Sequence, residues 1–192
     1  MMSKSRLEAF SDGVIAILIT IMVLEFKVPR GADWESVRPL LPIFLTYLLS
    51  YVYLGIYWNN HHHMLQAATR VNGKILWANL HLLFWLSTVP FATSWMGQNL
   101  FAPVPSALYG VLLLLSAIAY TILQSQIVSH HGAGATLARA VGNDLKGKLS
   151  VTLYILAVPL SFVNAGIAYG LYVVVALMWL FPDRRIEAQF SE

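Results

Sequence analysis

The chain has 192 residues, of which 58% are hydrophobic and 11% are charged, and its mean hydropathy is +0.65. Because a soluble domain carries about 25% charged residues, this composition excludes an ordinary soluble protein and indicates an integral membrane protein. The absence of cysteine excludes disulfides and thiolate metal sites. The net charge of +3 is spread over segment ends, which argues against nucleic acid binding.

The first apolar segment, residues 7–26, carries charged side chains at both ends. The uncharged run between Asp12 and Glu25 has only 12 residues, whereas a membrane span needs about 20. We therefore expect both acidic side chains to lie at the edge of the bilayer, with protein or water around them. The segment lacks a small-residue cleavage site, so we expect it to be retained rather than removed as a signal peptide.

Five further apolar segments follow, at residues 40–58, 75–95, 107–128, 149–163 and 167–181. The last two are short, and Asn164-Ala165-Gly166 between them is a turn signal. This pattern favours a helical hairpin over one long helix from 149 to 181, which would give an odd number of spans. The sequence thus predicts an all-α, polytopic membrane protein with six transmembrane helices, forming one integral domain over residues 1–192.

The distribution of positive charge predicts the orientation of the chain. With a cytoplasmic N-terminus, nine of the 12 Lys and Arg residues lie on the inner side and three on the outer side. The inner residues are Lys4, Arg6, Arg70, Lys74, Arg139, Lys146, Lys148, Arg184 and Arg185, and the outer ones are Lys27, Arg30 and Arg38. The positive-inside rule then places both termini in the cytoplasm of a plasma (inner) membrane protein.

One face of the first segment carries an apolar stripe. At about 100° per residue, four side chains fall within a narrow arc and span roughly 10 Å of helix axis. They are Ile17, Thr20, Ile21 and Leu24. Ser11 and Asp12 point roughly 120–140° away from this stripe. In one consistent arrangement the stripe faces a symmetry axis and the polar pair faces back into the subunit. Lipid contact or core packing explains such a stripe equally well.

Asp12 is an acid within a membrane segment, and such residues are functional hypotheses by default. A structural lock with Arg6 or with a histidine is one interpretation. A proton or ion site in a secondary transporter is another, although the inverted repeats and broken helices of many transporters are not visible in this sequence.

A polar cluster closes the second segment. Its members are Trp58, Asn59, Asn60, His61, His62 and His63. A histidine-based membrane metalloenzyme is the weaker alternative here, because neighbouring histidines on a helix diverge by about 100° and a two-metal centre needs several such clusters. We favour hydrogen bonding of His61 or His62 to Asp12, with Asn79 and His81 entering from the same side. No catalytic residue, metal site or cofactor is predicted. No TVGYG-like loop is present, so a carbonyl potassium filter is not encoded.

Several motifs together resemble those of bacterial members of the transmembrane protein 175 family of potassium channels. The most specific is RxxxFSDG, from Arg6 to Gly13, which opens an Ile/Leu/Thr-rich helix. YWNNHH at residues 57–62, the apolar run from Asn79 to VPFA at 89–92, and LYG at 108–110 extend the resemblance over most of the chain.

The resemblance implies a homotetramer in the lipid bilayer, with six transmembrane helices per subunit and the first helix lining a potassium-conducting pore. Hydrophobic side chains form the constrictions in this family. By position these are Ile17, Ile21 and Leu24, with the hydroxyl of Thr20 beside them; Ile21 stands where the family often has Leu. The residues implied to organise packing around the pore helix are Phe10, Ser11 and Asp12, with Arg6, Trp58, Asn60, His61 and His62 as candidate partners.

Overall fold

The computed structural model describes residues 3–131 and 144–180, and the account below concerns these residues. Seven α-helices lie within them. Their bounds are α1 Lys4–Ile21, α2 Trp34–Val37, α3 Leu41–Gln66, α4 Gly73–Gln98, α5 Pro103–His131, α6 Leu145–Val163 and α7 Ala165–Leu180. Short 3₁₀ turns extend α1 over Met22–Glu25 and precede α3 over Arg38–Leu40. Arg139, Arg184 and Arg185, used above for orientation, lie outside the described residues.

Five helical stretches are long and apolar enough to cross a membrane, and α7 is a shorter apolar helix. The five stretches are Lys4–Glu25, Trp34–Gln66, Gly73–Gln98, Pro103–His130 and Leu145–Val163. At 1.5 Å per residue, the 16 residues of α7 extend about 24 Å, which is somewhat less than the hydrocarbon thickness. The architecture is therefore all-helical, as the sequence predicts.

The chain reverses direction at Asn164, between α6 and α7. Asn164 is the one non-helical residue between them, and its side-chain oxygen accepts a 2.9 Å hydrogen bond from the Gly166 amide. At the other end of the pair, Trp179 Nε1 donates to Ser150 Oγ at 2.8 Å. Contact between residues so far apart in sequence requires antiparallel packing, which excludes one continuous helix.

A buried hydrogen-bonded cluster joins four helices in the interior. Thr93 Oγ1 of α4 donates to Ser50 Oγ of α3 at 2.6 Å, and Ser50 Oγ lies 2.9 Å from Tyr109 Oη of α5. Tyr53 Oη donates to the Tyr172 carbonyl of α7 at 2.6 Å. Because no water is present in the hydrocarbon core, polar side chains there must bond to each other or to backbone. The cluster meets that requirement and specifies how the helices pack.

Helix α1 packs against α3 and α4 through one face. Its buried side chains recur every three or four residues, as expected for one face of an α-helix. They are Leu7, Ser11, Ile15, Leu18 and, in the following turn, Met22. The N-terminus of α1 is capped by Ser3, whose hydroxyl accepts from the Arg6 amide. The same packing leaves the opposite face of α1 uncovered by its own subunit.

Helix α3 continues to Gln66, eight residues beyond the Trp58 end of the second apolar segment. The run from Trp58 to His63 therefore lies on the last turns of a helix, and residues 58, 61 and 62 share a face there. That face is directed toward α1 and α4, which positions the site described next.

Candidate pore helix and its packing site

The predicted stripe lies on the uncovered face of α1. The exposed fractions are 61% for Ile17, 46% for Ile21 and 75% for Leu24. Thr20 lies among them, and its hydroxyl donates to the carbonyls of Ala16 and Ile17 at 3.0 and 3.1 Å. Because its hydrogen is directed to the backbone, the lone pairs of this oxygen remain available on the uncovered face.

A buried three-residue network ties α1 to α4 and α3. Asn79 Nδ2 of α4 donates to Ser11 Oγ of α1 at 2.9 Å, and Ser11 Oγ donates onward to the Leu7 carbonyl at 2.9 Å. Asn79 Oδ1 lies 2.7 Å from His61 Nε2 of α3. All three side chains of this network are buried. Because an amide oxygen only accepts, Nε2 of His61 carries a hydrogen, whereas Nδ1 is buried without a hydrogen-bond partner.

Asp12 pairs with Trp58, one of the candidate partners that the resemblance implied, and not with Arg6 or a histidine as the polar cluster alone favoured. Trp58 Nε1 donates to Asp12 Oδ1 at 3.0 Å, and the Trp58 ring stacks on His62 with centroids 6.2 Å apart and planes 19° apart. His62 Nε2 bonds to Gln66 Nε2 at 2.8 Å. The register of α3 against α1 places the indole opposite Asp12, while His61 is directed at Asn79.

Three residues assigned to the packing motif lie elsewhere. The Arg6 side chain is exposed and makes no hydrogen bond or ion pair within the described residues. Phe10 is exposed on the same side of α1 as the stripe. Asn60 Nδ2 donates to the Ile56 carbonyl at 2.8 Å, and its own carbonyl accepts from Tyr120 Oη of α5 at 3.3 Å. Asn60 is thus hydrogen-bonded within α3 and to α5.

The other end of α1 carries a contact that the sequence analysis missed. Ser94 Oγ of α4 donates to Glu25 Oε2 at 2.6 Å, and Gln98 Nε2 donates to Ser94 Oγ at 3.0 Å. Glu25 alone could have indicated such a contact in the sequence, because an acidic residue at the end of a membrane helix requires a polar partner. Polar contacts therefore hold the first helix to α4 near both of its ends.

The histidines do not converge on one point. His61 and His62 bond to different partners, and His81 Nε2 accepts from Trp85 Nε1 at 2.8 Å on α4. Across residues 3–131 and 144–180 no group of three or more His, Asp or Glu side chains is arranged to hold a metal ion.

These features define a polytopic α-helical membrane protein whose first helix is held by polar contacts and presents an uncovered apolar face. Comparison with known proteins specifies the class further. The model of the endosomal/lysosomal potassium channel TMEM175 family matches residues 6–90, which include most of α1, all of α2 and α3 and most of α4. The chain belongs to the TMEM175 family of potassium channels, so it is an ion channel and not an enzyme.

Relatives match this chain over its length. It is 55% identical over 191 residues to a potassium channel of Chryseobacterium sp. (strain P1-3), with 100% of both chains covered. It is 30% identical to a potassium channel of Streptomyces collinus, covering 94% of this chain and 93% of that one. The crystal structure of a lysosomal potassium-selective channel TMEM175 homolog from Chamaesiphon minutus superposes with a TM-score of 0.80 at 30% identity, covering 92% and 96% of the two chains. The family predicted from the sequence motifs is thereby confirmed.

Proposed function

We propose that this protein is a potassium-selective, leaky cation channel that conducts along the axis of a homotetramer. Each subunit contributes six transmembrane helices, with α1 lining the pore and both termini in the cytoplasm of the plasma (inner) membrane. The observation that carries the proposal is the uncovered face of α1. Its apolar side chains are exposed in the subunit, while the opposite face is packed and hydrogen-bonded to α3 and α4.

Two features, one on this face and one beside it, favour a pore over plain lipid contact. Thr20 presents hydroxyl lone pairs among the apolar side chains, and these suit a cation better than lipid. The carboxylate of Glu25 follows directly after Leu24 and is held by Ser94. Four such carboxylates around an axis form an acidic ring, an arrangement that attracts cations at channel mouths.

The proposed constriction consists of stacked apolar rings. Ile17 and Ile21 are four residues apart on α1, and Leu24 follows three residues later in the 3₁₀ turn. Consecutive rings are therefore each separated by about 6 Å along the axis. A narrow apolar ring excludes water, and this dewetting blocks ions until the ring widens. Potassium loses its hydration shell at lower cost than sodium, and the Thr20 oxygens offset part of that loss. These two effects give the proposed preference for potassium.

The packing site sets the position of the rings. Ser11 and Asp12 lie on the first half of α1 and hold it to Asn79 and Trp58. A rotation of α1 that carried the stripe away from the axis would break both contacts. We therefore assign Ser11, Asp12, Trp58 and His61 a positioning role rather than contact with the ion.

Truncation of the constriction tests the proposal. We expect Ile17→Ala and Leu24→Ala to widen the pore, raising single-channel conductance and shifting the reversal potential under potassium/sodium gradients toward that of a non-selective pore. The measurement is ion-substitution recording of purified protein in lipid bilayers. Leu156→Ala on α6, which removes an exposed leucine away from α1, is the control and should change neither quantity. Unchanged conductance and reversal potentials in both pore variants would contradict the proposal.

A further inference from the structure

A groove separate from the pore helix opens between the beginning of α4 and the end of α5. Its volume is about 1040 Å³, and it is largely open to the outside. The residues that line it are Asn72, Gly73, Lys74, Trp77, Ala78, His81, Ile122, Gln126, Ser129 and His130. None of them belongs to the proposed constriction or to its packing site.

The groove changes from polar to apolar along its length. At its polar end Asn72 Nδ2 lies 3.1 Å from His130 Nδ1, which sets the two helices in antiparallel register there. Deeper in the span the walls are formed by Trp77, Ala78 and Ile122. Trp77 and Ala78 lie about 8 Å along α4 from Asn72, and Ile122 lies about 12 Å along α5 from His130. A phospholipid in the bilayer changes from polar to apolar in the same direction, because its charged headgroup lies at the level of the helix ends and its acyl chains lie deeper.

The charge of the groove is positive. Its described lining residues include one lysine and two histidines and no acidic residue. Lys74 is exposed, and within the described residues its ammonium group makes no hydrogen bond or ion pair. A cation at this level of a membrane helix is complementary to a lipid phosphate. Trp77 is 75% exposed one turn deeper, at the level where tryptophan typically contacts the interfacial region.

His81 adds a directed donor further along the groove. Trp85 Nε1 is a donor only, so His81 Nε2 must accept their 2.8 Å hydrogen bond. The neutral imidazole therefore carries its hydrogen on Nδ1. An exposed N–H on a membrane helix suits a polar acceptor such as a lipid ester carbonyl better than hydrocarbon.

We propose that this groove binds an anionic phospholipid, with Lys74 pairing with the headgroup phosphate and one acyl chain lying along Trp77 and Ile122. A second copy of the chain fits less well, because covering Lys74 without an acidic partner leaves a buried, unpaired charge. The proposal does not depend on ion conduction.

Brominated lipids test the proposal through Trp77. The full-length chain is reconstituted in phosphatidylcholine vesicles in which the same small fraction of lipid is brominated phosphatidylglycerol or brominated phosphatidylcholine. The Trp77 signal is the difference in fluorescence between the native chain and a Trp77→Phe variant. We expect brominated phosphatidylglycerol to quench this signal more strongly than brominated phosphatidylcholine.

The variants assign the preference to Lys74. Lys74→Gln should lower the preference for phosphatidylglycerol about fivefold, as expected for the loss of one cation near a lipid headgroup. Lys74→Arg should retain the preference. Lys27→Gln is the control: it removes a lysine just after the C-terminal end of the first helical span, away from the groove, and should leave the preference unchanged. Equal quenching by the two lipids would overturn the proposal. Weak quenching by both would show that a second copy covers the groove. Relief of quenching by added inorganic phosphate would show a free-phosphate site instead.

Discussion

The Asp12 carboxylate fixes the position of α1 relative to α3 through a single hydrogen bond. Its oxygen accepts a 3.0 Å hydrogen bond from Trp58 on α3, and its side chain is only partly exposed. An asparagine at this position retains an oxygen that accepts the same bond but carries no charge. The two substitutions Asp12→Asn and Asp12→Ala therefore separate a hydrogen-bonding role from a role in binding an ion.

We expect Asp12→Ala to reduce the yield of assembled channel more than it changes permeation, because it leaves the Trp58 N–H without its partner. Asp12→Asn should assemble normally and conduct with the native selectivity. Size-exclusion chromatography of the purified protein and bilayer recording of the same samples measure the two effects. An Asp12→Asn protein that assembles normally but has lost its current or its selectivity would instead support a charge-dependent site, as in an ion-coupled transporter.

Asn79 of α4 is hydrogen-bonded to both α1 and α3, through Ser11 and His61. Asn79→Ala removes the hydrogen-bond partner of His61 Nε2, whereas Ser11 keeps its bond to the Leu7 carbonyl. We expect a loss of about 1–2 kcal/mol in stability, since a buried polar group is left unpaired. Thermal unfolding in detergent measures it. Asn59→Ala, at an exposed position on α3, is the control, and equal destabilisation by both variants would contradict the role assigned to Asn79.

Helices α3 and α4 approach each other closely where α4 has a glycine. A Cβ atom added at Gly97 would lie 2.5 Å from Thr46 Oγ1 and 3.0 Å from Ile43 Cα. The second of these atoms belongs to the backbone, so relief requires the helices to separate. Small residues permit such close approach of membrane helices, and this contact is the structural reason for the glycine.

We expect Gly97→Ala to destabilise the protein by about 1–3 kcal/mol through overpacking. Gly170→Ala on α7 is the matched control, because a Cβ at that position would meet no atom within 4 Å beyond the local backbone of its own helix. There the substitution should be neutral or stabilising by up to about 1 kcal/mol, since alanine favours the helix. Thermal unfolding of both variants in the same detergent measures the difference. A Gly97→Ala protein as stable as Gly170→Ala would show that α3 and α4 are not in tight contact.

The apolar segments predicted the helices well, because hydrocarbon admits few other backbone structures. Hydropathy was a poorer guide to where helices end. It falls at Trp58, yet α3 continues to Gln66, since Asn and His are tolerated in a helix and no Pro or Gly interrupts them. Hydropathy thus reports the thickness of the bilayer, whereas the end of a helix depends on local backbone preferences.

Side-chain partners were harder to predict than faces. The helical wheel separated Ser11 from the Ile17–Leu24 stripe, and the structure places Ser11 inside and the stripe outside. The partner of Asp12 depends on the register between α1 and α3, and Trp58 is 46 residues away in sequence. That register is set by packing over both helices, and no local pattern in the sequence encodes it. Glu25 and Ser94, 69 residues apart, illustrate the same limit.

On the scale of the whole molecule, the uncovered face of α1 is the feature that one subunit does not explain. Its apolar side chains are uncovered from Phe10 to Leu24, while buried side chains on the opposite face continue to Met22. In a tetramer with α1 at the axis, four copies of each stripe residue surround one point. In a subunit that presents this face to lipid, each copy lies far from the others. The two arrangements differ in whether four identical side chains can bind one ion together.

A cysteine scan exploits this difference, because the native chain contains no cysteine. In the proposed tetramer, Leu24→Cys places four thiols around the axis, and soft thiolates bind soft divalent metals. We expect micromolar Cd²⁺ to block the potassium current of Leu24→Cys and a chelator to restore it. The native channel is the control for Cd²⁺ binding to histidines. Leu156→Cys is the control for a cysteine on an exposed face of α6. Both should conduct unchanged in Cd²⁺. If Leu24→Cys conducts equally well with and without Cd²⁺ while its thiol is accessible to a small maleimide, the four copies do not meet at the axis and α1 does not form the constriction.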